Sequence, residues 1–120
     1  MSDHAPDQPL PRVAYDDYAR LDIRVGTILS VDPFAAARTP AWQLTIDFGP
    51  LGTRRSSAQI TKYYDAEALV GQQVACVVNF PPKRIAGFTS EVLVLGAVLQ
   101  PADVVLLFPD RPVPNGTRVA

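Results

Sequence analysis

Two prolines, two cations and a Gly-Phe pair separate two apolar runs in the segment Val77 to Gly96, VVNFPPKRIAGFTSEVLVLG, and nothing else in the chain restricts the fold as tightly. Pro81 and Pro82 each fix φ and remove an N–H donor, so a strand running through Val77 and Val78 must stop there. Lys83 and Arg84 follow, and Val92 to Leu95 resume a β-rich run. The spacing predicts a strand, a stiff basic loop and a second strand. Phe80, Ile85 and Phe88 lie in that loop, where apolar side chains either pack underneath or form a binding face.

The rest of the chain carries similar short-strand signals. In WQLTIDFG, Trp42, Leu44, Ile46 and Phe48 alternate with Gln43, Thr45 and Asp47, the period of a half-buried strand. Gly49-Pro50-Leu51-Gly52 supplies a hairpin turn, and the return strand TRRSSAQIT is polar enough that one face must be wet or meet a ligand. LDIRVGTILSV alternates until Gly26 breaks the phase, which predicts a bend or bulge. Strands are also expected over Gln73 to Phe80, Ser90 to Val98 and Asp103 to Phe108, with short helices over Tyr15 to Leu21 and Tyr63 to Leu69, the latter closed near Gly71. Pro33 and Pro40 bracket FAAARTPA so closely that it reads as a loop. The expected fold is all-β, an OB-fold five-stranded barrel with short helices and terminal extensions, and a small sandwich is the alternative.

With 120 residues the chain has room for one domain. Residues 1–14, which hold Pro6, Pro9 and Pro11, read as a flexible proline-rich tail, and residues 15–120 as the folded domain. The net charge of −1 gives no basic footprint, so any nucleic-acid contact must come from a local patch. Cys76, the only cysteine, sits in an apolar run and reads as a buried, inert thiol suited to a reducing compartment. The start of the chain lacks a basic region followed by an apolar segment, and no run reaches about 18 apolar residues, so a soluble cytoplasmic protein is expected.

Catalytic signals are thin. The only histidine, His4, lies in the tail, and the pattern contains neither zinc spacing nor a glycine-rich phosphate loop, so no enzyme, metal or cofactor is expected. Asp16-Asp17 reads as helix-start charge and Asn115-Gly116 as a turn. Binding signals remain. Arg54, Arg55, Lys62, Lys83 and Arg84 flank the polar strand and the stiff loop, near the hydrogen-bonding groups of Ser56, Ser57, Gln59, Asn79 and Ser90. A solvated barrel surface would carry the same residues. Phe34 and Phe88 fall in loops and Tyr63-Tyr64 turns at least one ring outward; exposed rings beside cations can stack bases or hold apolar side chains of an unfolded peptide.

At LDIRVGTIL, SSAQITKYY, VVNFPPKRIAGFTSEVLVLG and PDRPVPNGT the sequence resembles the CsaA family of export-related chaperones, from about Tyr15 to the C-terminus. It is similar, more distantly, to the tRNA-binding domains appended to methionyl-tRNA synthetases and found in EMAP-II-like proteins. The resemblance implies an OB-fold, a homodimer, binding of unfolded or precursor polypeptides without ATP, and the SecA translocation ATPase as a partner. The wider family's pattern of Asn, a Lys/Arg pair near Gly, and Ser followed by Met falls here on Asn79, Lys83, Arg84, Gly87, Ser90 and Leu93. Leu93 replaces the methionine, and Glu91 sets a carboxylate where phosphate would approach, which lowers the expected tRNA affinity. An apolar pocket in each subunit is implied, and the apolar loop residues suggest Phe34, Trp42, Ile60, Phe80, Ile85 and Phe88 as its lining. The alternative function is structure-specific tRNA binding through Arg54, Arg55, Ser57, Gln59, Lys62, Asn79, Lys83, Arg84 and Ser90.

Overall fold

A computed structural model describes residues 7–101 and 103–120; His4 and the start of the tail lie outside the described residues. Residues 7–14 form no regular element and are exposed. The first helix, α1 (Tyr15–Ala19), begins where Asp17 accepts the Ala14 N–H at 3.2 Å, so the paired aspartates serve the helix start. Ten strands follow: β1 (Ile23–Pro33), β2 (Trp42–Asp47), β3 (Thr53–Ala58), β4 (Gln73–Val77), β5 (Lys83–Ile85), β6 (Phe88–Ser90), β7 (Leu93–Val94), β8 (Gly96–Gln100), β9 (Asp103–Leu106) and β10 (Arg118–Val119). A second helix, α2 (Ala66–Leu69), precedes β4 and is followed by Gly71 at φ +89, the left-handed geometry expected there.

The main sheet runs β3-β2-β1-β4-β7, with β10 beside β1, and curls into a nearly closed antiparallel barrel of the OB type. The long β1 serves both halves, pairing β2 from Thr27 onward and β4 from Ile23 to Thr27. Ile28, Leu44, Ile46, Phe48, Leu69, Val74 and Cys76 fill the interior with no exposed surface. The alternation in β2 therefore points inward as expected.

Gly26 acts differently from the expectation. The register irregularity in β1 falls between Ile28 and Ser30, and Gly26 sits in regular pairing opposite Val74. A Cβ on Gly26 would lie 2.6 Å from an Ile46 methyl and 2.8 Å from the Phe48 ring, so its lack of a side chain makes room for the core. Strand ends also differ. The strand expected to reach Phe80 stops at Val77: the Val78 N–H still bonds the Asp22 carbonyl at 2.8 Å, but the Asp22 N–H goes to the Asn79 side chain at 2.8 Å and not back to Val78. The strand expected over Ser90 to Val98 is three: the chain turns toward β3 at Glu91, and passes from β4 to β9 at Leu95, whose N–H bonds Ala75 and whose carbonyl accepts from Leu107. The last expected strand ends at Leu106, two residues short of Phe108.

The stiff basic loop itself contains a hairpin, β5–β6, turning through Ala86 (φ +46) and Gly87 (φ +83). Two successive positive φ values match the twist of a tight hairpin, and they hold the non-glycine Ala86 in the left-handed region.

Candidate functional site

In the β5–β6 hairpin, opposed residues share a face: Lys83 with Ser90 and Ile85 with Phe88 on one side, Arg84 with Thr89 on the other. The Arg84 guanidinium accordingly donates to the Thr89 hydroxyl at 2.9 Å. Phe88 folds beneath the hairpin against Phe34, ring centres 5.3 Å apart, and with Ala41 these form a small separate core on which Ile85 packs. The Arg55 guanidinium lies 4.4 Å above the Phe88 ring, which is itself tilted 54° to the Phe34 ring, so Phe88 touches both a cation and a second ring.

Two surfaces result. A broad cleft of about 610 Å³ is floored by Phe34 and Phe88 and edged by Gln43, Arg55, Arg84, Thr89 and Glu91. On the other side, Phe80, Pro81, Ile85, Val92 and Leu93 wall an apolar groove of about 350 Å³, with Lys83, Glu91, Ser57 and Ser90 at its margin. The groove continues into a cleft of about 250 Å³ bounded by Gln59, Ile60, Leu93, Val94, Val104 and Leu106, and into another of about 310 Å³ beside Ala37 to Thr39. Ser57 and Ile85 line all three, so the groove is continuous along the outer margin of β3.

Of the suggested pocket residues, Phe80 and Ile85 stand on the groove wall and Ile60 lines its inner end while remaining 97 % covered at 3 % exposure. Phe34 and Phe88 are each 5 % exposed, because they pack on one another instead of projecting from their loops. Trp42 is placed elsewhere: its indole N–H donates to the Tyr64 carbonyl at 2.9 Å and its ring packs on the main core.

The polar set divides likewise. Arg55, Ser57, Gln59, Lys83, Arg84 and Ser90 gather around the hairpin. Arg54 points to the opposite face of β3, as strand alternation requires, and donates to the Leu51 carbonyl at 3.4 Å. Asn79 spends both ends of its amide on the fold, accepting the Asp22 N–H at 2.8 Å and donating to the Arg20 carbonyl at 2.7 Å. Lys62 is held by Asp103 at 3.0 Å. The neighbouring Tyr63 hydroxyl, and the Lys62 ammonium that donates to Asp103 Oδ2, keep the Asp103 carboxyl below its ordinary range, and the Asp103 carboxylate in turn raises both Lys62 and Tyr63.

Leu93, half exposed, and Pro81 were not singled out as groove residues in the sequence, although β alternation from Val92 marks Leu93 as outward-facing. Cys76 is fully covered, and burial pushes its thiol up to about 12, which suppresses the thiolate needed for reactivity. Among the described residues no group of three or more His, Cys, Asp or Glu side chains could hold a metal ion, and no helix is long and apolar enough to cross a membrane.

The family model described as putative tRNA binding domain matches residues 23–118. The crystal structure of chaperone CsaA from Bacillus anthracis superposes with a TM-score of 0.89 at 55% identity, covering 92% of this chain and all (100%) of that one. This chain belongs to the CsaA tRNA-binding-domain family. CsaA from Picrophilus torridus gives a TM-score of 0.84 at 47% identity, over 91% of this chain and 100% of that chain. The methionine–tRNA ligase of Methanosarcina acetivorans is 35% identical over 114 residues, 95% of this chain, and the chain spans only 16% of the ligase's length. The family's match ends at Arg118 in β10, so its span takes in both the hairpin and the groove.

Proposed function

We propose that this protein is a CsaA-type chaperone that holds unfolded or precursor polypeptides in the groove beside β3, without ATP and as a homodimer. The observation that carries this reading is a continuous apolar groove on the outer surface, walled by exposed Phe80 and Leu93 and by Ile85. An extended chain can lay apolar side chains into such a groove at roughly 25 cal/mol per Å² buried, with little regard for sequence. Val98, Leu99, Val105, Leu107 and Phe108 leave a second apolar surface on and beyond the β8–β9 hairpin, which supports self-association. Two linked grooves raise avidity for a long client. Through the resemblance the reading extends to SecA as recipient of export-bound clients and to a cytoplasmic site, which the buried reduced Cys76 suits.

A second reading, tRNA binding, is favoured by the family match and by Arg55, Lys83 and Arg84 converging on one hairpin. Fluorescence anisotropy of a labelled unfolded precursor peptide, with tRNA as competitor at two salt concentrations, decides between them. Saturable, salt-tolerant binding untouched by tRNA supports the chaperone reading; absence of peptide binding beside tight, salt-sensitive tRNA binding reverses the order.

A further inference from the structure

The turn at Asn115-Gly116 is where the C-terminal segment is fastened to the barrel. The Asn115 carboxamide oxygen accepts the Thr27 hydroxyl at 2.6 Å and the Gln73 side-chain amide at 3.1 Å. Its nitrogen donates to the Asp47 carboxylate at 3.3 Å, so one side chain joins β1, β2 and β4. Beside it the Gly116 N–H donates to the Val25 carbonyl at 2.7 Å and the Val25 N–H to the Thr117 carbonyl at 2.9 Å, which leads β10 into its pairing with Ile23 and Arg24. Position 116 requires glycine: its φ is +90, and a Cβ there would lie 2.6 Å from the Phe48 carbonyl oxygen. With no side chain on the following residue to shield its nitrogen, an asparagine before glycine is the form most open to attack by the main chain.

We infer that Asn115 is a site of spontaneous deamidation that reacts only when the C-terminal segment lifts off the barrel, and that the modified residue keeps the segment off. In the reaction the Gly116 nitrogen, having lost its proton to solvent hydroxide, bonds to Asn115 Cγ. The Cγ–Nδ2 bond breaks, and the nitrogen leaves as ammonia after taking a proton from water. Water then opens the cyclic imide at either carbonyl, giving aspartate or, with the main chain rerouted through Cγ, isoaspartate. In the docked segment neither reactant is free, since the Gly116 N–H is bonded to Val25 and both ends of the carboxamide are held. Attack therefore needs local opening of the C-terminal segment. The product has no donor for Asp47: a carboxylate oxygen replaces Nδ2, two acceptors face each other and like charges repel. Isoaspartate also adds a main-chain carbon at a turn with no room for a Cβ. Release withdraws Val119 from the cluster of Ile23, Ala75 and Val77 and bares the margin of β1, whatever the groove binds.

The test follows the full chain at neutral pH by peptide mapping that distinguishes asparagine, aspartate and isoaspartate at position 115. Conversion in the folded protein is at least about tenfold slower than in the same chain unfolded in urea, because only the opened fraction reacts. Gln73→Ala removes the paired bonds between Gln73 and Val113 as well as the bond to Asn115, and accelerates conversion at least about threefold while circular dichroism shows the barrel folded. Phe88→Ala, which weakens the fold away from this segment, accelerates it less. The deamidated form, separated from aged protein by anion exchange, exchanges its Val25 and Gly116 amides at least about tenfold faster than the unaltered form and its Ile46 amide at the same rate. Asn115→Asp gives the same readout for the aspartate product. Equal rates in the folded and unfolded chain, acceleration by Gln73→Ala no greater than by Phe88→Ala, or unchanged Val25 exchange in the deamidated form overturns the inference.

Discussion

Glu91 and Arg55 exchange two hydrogen bonds, the Glu91 N–H donating to the Arg55 carbonyl at 2.7 Å and the Glu91 carboxylate accepting the Arg55 N–H at 3.0 Å. A carboxylate that the sequence places where RNA phosphate would approach thus also closes the barrel's seam. Glu91→Ala removes the side-chain half of this exchange and should cost about 1 kcal/mol of stability, read as a lower urea midpoint at unchanged m-value. The same change leaves Arg55, Lys83 and Arg84 without an opposing charge, so tRNA affinity should rise and its salt dependence should persist; weaker tRNA binding would contradict this electrostatic account.

Phe80 and Phe88 separate binding from packing. Phe80 is 45% exposed on the groove wall, and Phe80→Ala should change stability by less than about 0.5 kcal/mol while weakening peptide binding about tenfold. Phe88, buried against Phe34 with Arg55 over its ring, should cost about 3–5 kcal/mol when replaced by Ala. Thermal melts beside peptide titrations check the pair.

Asn79→Ala should detach the segment before β1. Losing the bonds to Arg20 and Asp22 costs about 1–2 kcal/mol, and limited proteolysis should cut near α1 faster than in the unaltered protein. Because both amide ends are engaged in the fold, peptide and tRNA affinity should change little.

The Lys62–Asp103 contact, with Tyr63 beside it, predicts a pH dependence. Asp103 has a lowered folded value, so its contribution is fully present above the ordinary carboxylate value of about 3.9 and is lost as pH falls through the lower folded value. Lys62 is raised, so its contribution is present below its ordinary value of about 10.4 and is lost as pH climbs through the higher folded one. Melting curves of Asp103→Asn and the unaltered protein should therefore differ most between these limits and converge in strong acid.

Gly26→Ala should destabilise by about 1–3 kcal/mol, since its methyl would press on Ile46 and Phe48 at sites where the barrel has no slack. A neutral result in chemical denaturation would show that these side chains can repack.

Strands were legible wherever one face is buried. Trp42 to Phe48 alternated in sequence and does so in the barrel, whereas the strand before the proline pair ends earlier, at Val77, where Asn79 takes the Asp22 N–H. Membership of the candidate site was not legible. Lys83, Ile85 and Ser90 line one groove and Arg84 another cleft, while Asn79, Lys62 and Arg54 have the same chemistry and turn to structural partners. Loop phenylalanines gave no sign of their mutual burial, since Phe34 and Phe88 lie far apart in the chain.

The sequence by itself determined the β class, the strand-breaking loop, the tight turns and the inert cysteine, because each follows from local sterics or from apolar periodicity. Tertiary structure decided which strands meet, how the seam between β3 and β7 is bridged, and whether each polar side chain serves ligand or fold. Those outcomes depend on partners such as Asn79 for Asp22 and Ser90 for Ser57, residues distant in sequence whose meeting is fixed only when the barrel closes around its core.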